Sequence, residues 1–283
     1  MNTMPDYVVF ILSYKRANNV KTYNTLKRQG YKGRIFIIVG DDDPQINDYK
    51  RLYGEQVLVF SKADYRYVDT GDNDPAINTV LFARNACYDI AERIGVQYFI
   101  QLDDDYSHFQ FRFITDEFYK PRPIRNLQAI FDAYFTYLIG ATHLKCIATA
   151  QGGDFVGGKY EKRRHKRKVM NTFFCDTKRR VKFVSRMNDD VSTYVLNGSR
   201  GEVYLTLYRV SVEQAPTQAQ EGGLTEMYLA KGTYVKSFYT VIMHPSSVRI
   251  NANKALDETG RRLHHQVPPN TTYPKIVSER LRA

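Results

Sequence analysis

The sequence contains no tryptophan, only three cysteines and no long hydrophobic run. The cysteines, Cys87, Cys146 and Cys175, are far apart and odd in number, which excludes a disulfide framework and a paired-cysteine zinc motif. No apolar stretch reaches the ~18 residues of a membrane span, and residues 1–6 lack the basic and apolar segments of a signal peptide. These absences predict a protein of a reducing cytoplasm that does not cross a membrane.

Acidic residues are also in deficit, with 30 Asp and Glu against 41 Lys and Arg, a formal net charge of +11 and a pI near 9.4. Such a charge attracts polyanions, with nucleic acid as the first candidate and an anionic membrane surface as the second. Charge alone does not decide between them. A chain of 283 residues that is 43% hydrophobic can bury one large core, as one compact unit or two fused halves.

Short apolar runs alternate with helical patterns in the first half of the chain. The runs that predict buried strands are 7–12, 34–39, 56–60 and 97–102. The stretches that predict helices are 18–29, 78–94 and 124–139. This alternation predicts an α/β sheet that binds ligands at the carboxyl ends of its strands. Beyond about residue 151 the pattern changes to a β-rich half, with the predicted strands 146–150, 181–185, 203–209 and 234–243.

Three consecutive aspartates, residues 103–105, directly follow the predicted strand at 97–102. Carboxylates crowded in this way either shift their pKa values or hold a cation. A divalent ion held by the outer pair, Asp103 and Asp105, would bridge a diphosphate and stabilise the charge on a leaving group, with Asp104 in the same site. An acidic, solvated turn is the alternative. The preceding buried strand favours the metal site.

A second acidic strand end is formed by residues 40–44, Gly-Asp-Asp-Asp-Pro. A carboxylate there could accept hydrogen bonds from a ribose hydroxyl or a base imide, and Asp41 or Asp42 is the expected nucleoside contact. An ordinary turn is the alternative for this sequence.

Cationic and polar residues near the same strand ends are candidates for the donor diphosphate. Ser13, Lys15 and Arg16 follow the first predicted strand, and Arg84 and Asn85 lie on the predicted helix before the strand that ends in the triplet 103–105. Salt bridges within the fold are the alternative for the helix arginine. His244 follows a predicted strand and could supply a neutral nitrogen as a third metal ligand, although a lone histidine is as often only hydrogen-bonded or exposed.

The most charged segment of the chain is the basic loop, which we define as residues 159–168. Its seven cationic residues are Lys159, Lys162, Arg163, Arg164, Lys166, Arg167 and Lys168. Neutralising several phosphates would release counterions from DNA, so we expect this loop to clamp DNA. A solvated hairpin tip is the alternative, and further positive charge at 178–180 and 261–262 favours DNA.

Five short segments occur in an order that resembles a GT-A glycosyltransferase. They are FILSYKRA at 10–17, VGDDD at 39–43, ARN at 83–85, QLDDDY at 101–106 and RMNDD at 186–190. In detail they look most like the phage-encoded glycosyltransferases associated with TET/JBP-type base hydroxylases. The resemblance implies a Rossmann-like mixed sheet flanked by helices within a single domain, 1–283. Residues 1–150 would bind the nucleotide sugar, and residues 151–283 would form the acceptor and catalytic half.

The resemblance also implies the reaction. A sugar would pass from a nucleotide donor, expected to be a UDP-sugar, to the hydroxyl of a 5-hydroxymethylpyrimidine in DNA, expected to be 5-hydroxymethylcytosine. It implies Mn²⁺ or Mg²⁺ as the cofactor and allows a late histidine such as His244 as a metal ligand. If the gene is phage-encoded, the protein is expected in the host cytoplasm, without a membrane partner. It places an inverting catalytic base at Asp190, with Asp189 as the close alternative. Caps on the following segment are the alternative for Asn188 and Asp189.

Three other functions stay open at this point. The first is a GT-A enzyme that glycosylates a protein or a polysaccharide, against which the basic loop argues. The second is a non-catalytic DNA-binding module on a transferase-like fold, which would not need the carboxylates of Asp103 and Asp105. The third is a nucleotidyltransferase, since paired carboxylates also serve phosphoryl transfer. The sequence lacks both a Walker phosphate loop and a convincing GxGxxG motif, which disfavours the third.

Overall fold

The strand β1 (Tyr7–Leu12) is buried along its whole length, and the sheet is built outward from it. A computed structural model describes residues 5–75, 79–114, 119–151, 154, 169–214, 235–254, 261–268, 274 and 276–279. The basic loop lies outside the described residues. Within the described part of the chain, no helix is both long enough and apolar enough to cross a bilayer.

Strands from both halves of the chain form one nine-stranded mixed sheet, with the spatial order β3-β2-β1-β4-β8-β7-β9-β5-β6. The strands after β1 are β2 (Arg34–Gly40), β3 (Val57–Phe60), β4 (Tyr98–Asp103), β5 (Tyr106–Ile114), β6 (Tyr119–Pro123), β7 (Leu144–Gln151), β8 (Phe173–Asp176) and β9 (Val203–Gln214). A separate antiparallel pair consists of β10 (Arg249–Lys254) and β11 (Arg261–Gln266). The strands β1 to β4 are parallel to one another, whereas β8 runs antiparallel to both of its neighbours.

The helices cover both faces of this sheet. They are α1 (Lys21–Arg28), α2 (Ile46–Tyr53), α3 (Val80–Arg93), α4 (Leu127–Gly140), α5 (Asp189–Ser199) and α6 (Val235–Met243). Alternate residues of β1 point to opposite faces, so Val9 and Ile11 join the apolar core with α1, α2 and α4, and Val8 and Phe10 join the core with α3 and α5. The predicted mixed sheet flanked by helices is confirmed.

Two of the predicted strands are wrong. Residues 234–243 contain α6 instead of a strand, because the buried Ser237 and Thr240 are three residues apart and so share one face of a helix. Residues 181–185 belong to no strand and join no ladder. Their backbone is satisfied instead by other groups, since Phe183 N–H donates to the side chain of Asn85 and Ser185 N–H donates to the backbone of Asp69.

Candidate active site

The carboxyl ends of β1, β2 and β4 meet at one edge of the sheet because these strands are parallel, with Leu12 in register with Asp103. The segments that follow these strands carry the polar groups expected to bind a ligand. Residues 13–16, 41–43 and 103–105 therefore lie along the same edge, as the sequence predicts for ligand-binding strand ends.

Asp104 ties the ends of β1 and β4 together. Its buried carboxylate accepts hydrogen bonds from the hydroxyl of Ser13 at 2.6 Å and from the guanidinium of Arg16 at 2.8 Å. Burial raises the pKa of Asp104, and Arg16 opposes that shift. The hydroxyl of Ser13 also lies 2.7 Å from that of Tyr49 on α2. Ser13, Arg16 and Asp104, all predicted to face the donor, thus form one bonded group at this edge.

Arg84 on α3 connects the end of β4 with the start of α5. Its guanidinium donates to Asp103 at 2.8 Å and to Asp189 at 2.9 Å, while its side chain is only 2% exposed. The guanidinium lies 4.7 Å from the ring centre of Phe173 on β8, a distance typical of a cation–π contact. Burial disfavours the charge, but the two aspartates raise the pKa of Arg84 and keep it protonated. The predicted cationic residue is therefore a buried bridge between two carboxylates.

Asp105 is the member of the triplet 103–105 whose negative charge is least offset by hydrogen bonds and neighbouring cations. Its Oδ1 atom is buried and has no hydrogen-bond partner among the described residues. Burial, followed by the charges of Asp103 and Asp104, raises the pKa of Asp105 to about 7. The two neighbouring arginines already bond to the other two aspartates. A carboxylate oxygen without a partner beside further carboxylates is a donor set that suits a hard divalent cation.

His244 lies just after α6 and is buried against α5. Its ring bonds to the backbone of Ser192, and burial lowers its pKa, with Arg200 and Asp69 as the charged groups that act on it. Across the described residues, no three His, Cys, Asp or Glu side chains are grouped so that they could hold a metal. The structure therefore does not bring His244 together with Asp103 and Asp105, and its role as a third ligand stays a prediction.

The acidic residues after β2 are well supplied with hydrogen-bond donors. Asp43 is buried and accepts the backbone N–H groups of Lys15 at 2.7 Å and Gln45 at 2.8 Å. Asp42 pairs at 2.8 Å with the buried ammonium of Lys62, which also lies 4.4 Å from the ring centre of Tyr14. Lys62 follows β3 and was not found by sequence reasoning, because no motif marks it.

Asp41 is the exposed member of this second triplet. It accepts hydrogen bonds from the hydroxyl of Ser61 at 2.8 Å and from the N–H of Lys62 at 3.1 Å. Although partial burial opposes ionisation, these hydrogen bonds lower the pKa of Asp41. An ionised, accessible carboxylate at this edge is free to accept further hydrogen bonds from a ligand.

Asp189 and Asp190 begin α5, and their surroundings differ. Both carboxylates are buried, but Asp189 bonds to the guanidinium of Arg84, whereas Asp190 accepts the backbone N–H of Val191 at 2.8 Å. Burial, followed by the charge of Asp189, raises the pKa of Asp190 to about 6, with Lys236 and Arg84 opposing. Asp190 is therefore the carboxylate better suited to take up a proton near neutral pH.

A strained turn precedes these two aspartates. Ser185 and Asn188 both have left-handed backbone conformations, with φ of 76° and 50°. The fully buried Arg186 between them donates twice to Asp72 and also to the carbonyl of Asp74, and the hydroxyl of Tyr239 on α6 donates to Asp72. Sequence reasoning missed this support, although Arg186 begins the RMNDD segment.

Several other cationic and polar candidates serve the fold. The amide of Asn85 donates to the carbonyls of Leu81 and Phe183, so it fixes the segment 181–185 against α3. Arg179 pairs with Asp176 and donates to carbonyls at the end of α4, and Arg180 pairs with Asp89. The positive charge at 178–180 is therefore largely used within the molecule.

Residues 7–223 match the TET-Associated Glycosyltransferase family, which is most of the chain. This chain belongs to that family. It is therefore a glycosyltransferase, as the sequence motifs predict. No curated protein matches the chain in a sequence search.

Solved glycosyltransferase structures resemble this enzyme at low identity. The mannosyltransferase PcManGT from Pyrobaculum calidifontis, solved with GDP-Man and Mn²⁺, is 12% identical, with 86% of this chain and 74% of that chain covered and a TM-score of 0.47. Glucosyl-3-phosphoglycerate synthase from Mycobacterium tuberculosis is 7% identical, with coverages of 93% and 87% and a TM-score of 0.43. TarS from S. aureus, solved with UDP-GlcNAc, is 10% identical, with coverages of 83% and 66% and a TM-score of 0.39.

Proposed function

We propose that this glycosyltransferase moves a sugar from a UDP-sugar to the hydroxyl of a 5-hydroxymethylpyrimidine in DNA, with 5-hydroxymethylcytosine as the first candidate base. The reaction would need a divalent cation and would invert the anomeric centre. The catalytic part of the proposal rests on one arrangement, in which Arg84 bonds both to Asp103 and to Asp189 at the start of α5. Asp105, next to Asp103 in the chain, has a buried carboxylate oxygen without a hydrogen-bond partner among the described residues. A metal-binding candidate and a base candidate thus lie on either side of one arginine.

Asp103 and Asp105 would hold the cation, since Asp105 has a buried oxygen without a described partner and both are carboxylates. Mn²⁺ or Mg²⁺ bound there would neutralise charge on the departing nucleoside diphosphate. Arg84 fixes the orientation of Asp103 through its hydrogen bond, and Arg16 keeps the charge of Asp104 compensated. Substrate and water oxygens would complete the coordination shell.

Asp190 would act as the general base. As the acceptor oxygen forms its bond to the anomeric carbon, the hydroxyl proton would pass to the carboxylate of Asp190 and the bond from that carbon to the diphosphate would break. Direct displacement of this kind inverts the configuration at the carbon. Asp189 is less suited to the role because its carboxylate is bonded to Arg84.

The nucleoside of the donor would lie near the end of β2. Asp41 is the better candidate for a ribose or base contact, because it is exposed and ionised, whereas Asp42 is bonded to Lys62. Lys15 and Arg16 would lie near the diphosphate, since they follow β1 at the same edge of the sheet.

The DNA acceptor is supported by the family's association with TET and by the net charge of +11. The basic loop would add phosphate contacts. Replacing Arg163, Arg164, Lys166 and Arg167 with Ser should weaken duplex binding and flatten its dependence on salt, because fewer counterions would be released. Unchanged affinity across a salt titration would contradict the role of this loop, and retained donor hydrolysis would show that the variant is folded.

The decisive experiment supplies the enzyme with Mn²⁺, a panel of nucleotide sugars, and either hydroxymethylated or unmodified DNA. The DNA is then digested and its nucleosides are weighed by mass spectrometry. We expect a mass increase of one sugar only on the hydroxymethylated base. Donor turnover without any sugar on DNA would reject the acceptor and direct the search to proteins and polysaccharides.

A further inference from the structure

The antiparallel pair β10 and β11, which we call the ribbon, has one face that the active site does not use. We propose that this face contacts the major groove of acceptor DNA. The proposal rests on the proposed function, because it assumes that the acceptor is duplex DNA. It assigns the contact to a surface of the described structure, separate from the basic loop.

The register of the ribbon divides its residues between two faces. Arg249 pairs with Gln266 and Asn251 pairs with His264, so these four side chains share one face. We call it the polar face. Arg249, Asn251, His264 and Gln266 are all exposed.

The opposite face of the ribbon contacts the protein at one pair of residues and is exposed at the next pair, Ala252 with Leu263. Ile250 and His265, which are paired, are half-buried, and the ring nitrogen Nδ1 of His265 lies 3.3 Å from the amide nitrogen of Asn188. Ser237 on α6 donates its hydroxyl to the carbonyl of Leu263. These contacts hold the ribbon beside the turn that begins α5. The ribbon is therefore next to the region that contains Asp189 and Asp190, and its polar face is on the side away from that turn.

The chemistry of the polar face matches a nucleic acid. Its paired positions carry Arg, Asn, His and Gln side chains and no carboxylate. Arginine binds phosphates or guanine, and Asn and Gln can form two hydrogen bonds to the major-groove edge of adenine. The acidic residues of this hairpin, Asp257 and Glu258, belong to the connecting segment, which lies outside the described residues.

The shape of the ribbon and the position of the acceptor hydroxyl both favour contact with the major groove. The major groove of B-DNA is wide enough for a two-stranded β-ribbon. The substituent at C5 of a pyrimidine also lies in that groove. An enzyme that reaches a 5-hydroxymethyl group in duplex DNA therefore approaches from the groove that a ribbon fits. A protein or polysaccharide acceptor would not require this combination.

The test compares a polar-face variant with a matched control. The polar-face variant carries three substitutions, Arg249→Ser, Asn251→Ser and Gln266→Ser, and loses one positive charge. The control, Lys32→Ser, loses one positive charge at an exposed position before β2, at the opposite edge of the sheet. Fluorescence anisotropy measures the affinity of each protein for a hydroxymethylated duplex at several salt concentrations. Thermal unfolding checks that the exposed substitutions leave the fold intact.

We expect the polar-face variant to bind the duplex about tenfold more weakly, with a salt slope smaller by about one, because Arg249 would no longer contact a phosphate. The Lys32 control should bind like the wild type. The single charge reversal Arg249→Glu should weaken binding further. Equal affinities of the polar-face variant and the control would overturn the proposal, as would failure of the wild type to bind duplex DNA.

The two proposals fail in different ways. If mass spectrometry detects sugar on DNA but the polar-face variant binds like the control, the ribbon is not the contact surface and the proposed function stands. If the wild type binds the duplex through the polar face but transfers no sugar to any hydroxymethylated base, the binding surface stands and the proposed acceptor chemistry is wrong.

Discussion

The same tripeptide, Asp-Asp-Asp, follows two parallel strands of this glycosyltransferase and has a different environment after each. After β2, residues 41–43 receive hydrogen bonds from backbone N–H groups, a serine hydroxyl and the ammonium of Lys62. The pKa of Asp41 is lowered there, since the hydrogen bonds from Lys62 and Ser61 outweigh partial burial. After β4, burial raises the pKa of each of residues 103–105.

The difference lies in the number of donors near each triplet. After β4 the compensating cations are Arg16 and Arg84, which bond to Asp104 and Asp103. Asp105 keeps a buried oxygen without a partner among the described residues. Where hydrogen-bond donors and cations of the protein neutralise all three carboxylates, the triplet stabilises a turn. Where one carboxylate lacks such a partner, the triplet retains affinity for a cation.

The largest expected effect is at Asp105. Asp105→Asn should reduce turnover by roughly 10³-fold or more, because it removes a charged ligand from the ion that stabilises the leaving diphosphate. Mn²⁺ should raise the melting temperature of the wild type and not that of the variant, which measures metal binding apart from activity. Asp103→Asn should be equally inactive, but it also leaves the buried Arg84 with one partner fewer.

Near-wild-type activity of both variants in buffer with a chelator would reject metal dependence. It would also remove the proposed difference between the two triplets, because the residues after β4 would then be only structural.

The second largest effect is at Asp190. Asp190→Asn should lower kcat by about 10²-fold or more, as loss of a general base does, with donor affinity nearly unchanged. In the wild type, kcat should fall as the pH drops through about 6, because protonation of Asp190 removes the base. The charged groups that face the carboxylate of Asp190 are Asp189, Lys236 and Arg84. A pH profile of kcat from 5 to 8 would measure this.

Stability should change in the opposite direction at the same position. A carboxylate with a raised pKa binds more protons in the folded state, so it destabilises the fold above its folded pKa. Asp190→Asn should therefore stabilise the protein at pH 7 by an amount on the order of 2 kcal/mol. Asp189→Asn is the control, and it should destabilise because Arg84 loses a bonded partner. A loss of kcat only in Asp189→Asn would identify that residue as the base.

Much of the fold and the position of the site could be predicted from the sequence, because both depend on local patterns. Buried runs ending in aspartates identify β2 and β4 and place the two triplets at one edge. The contacts that distinguish the triplets could not be predicted. Arg84 reaches Asp189 across 105 positions, and Arg186 reaches Asp72 across 114. No local pattern specifies such partners. The sequence of α6 predicts a strand because its β-branched and aromatic residues favour strands, and the tertiary contacts of the helix override that preference.

A smaller effect is expected at Asp43, on stability. Asp43→Asn should destabilise the fold by about 1–2 kcal/mol, because the neutral amide accepts weaker hydrogen bonds from the N–H groups of Lys15 and Gln45. Urea unfolding would measure the change. Asp105→Asn in metal-free buffer is the matched control, and it should not destabilise, since the substitution relieves repulsion. Equal losses of unfolding free energy at both positions would mean that the carboxylates of the two triplets are stabilised to the same extent.

The smallest effect is expected at Asp41, on donor binding. Its carboxylate is exposed at the ligand edge, and its bonds to Ser61 and Lys62 keep it ionised and oriented. If it accepts a hydrogen bond from the ribose or base, Asp41→Asn should raise the donor KM by roughly tenfold with little change in kcat, because the contact would be equal in the ground and transition states. Asp48→Asn, an exposed carboxylate on α2, is the control and should leave KM unchanged. Equal KM values for the wild type and Asp41→Asn would place the nucleoside away from the end of β2 and leave that triplet with a structural role alone.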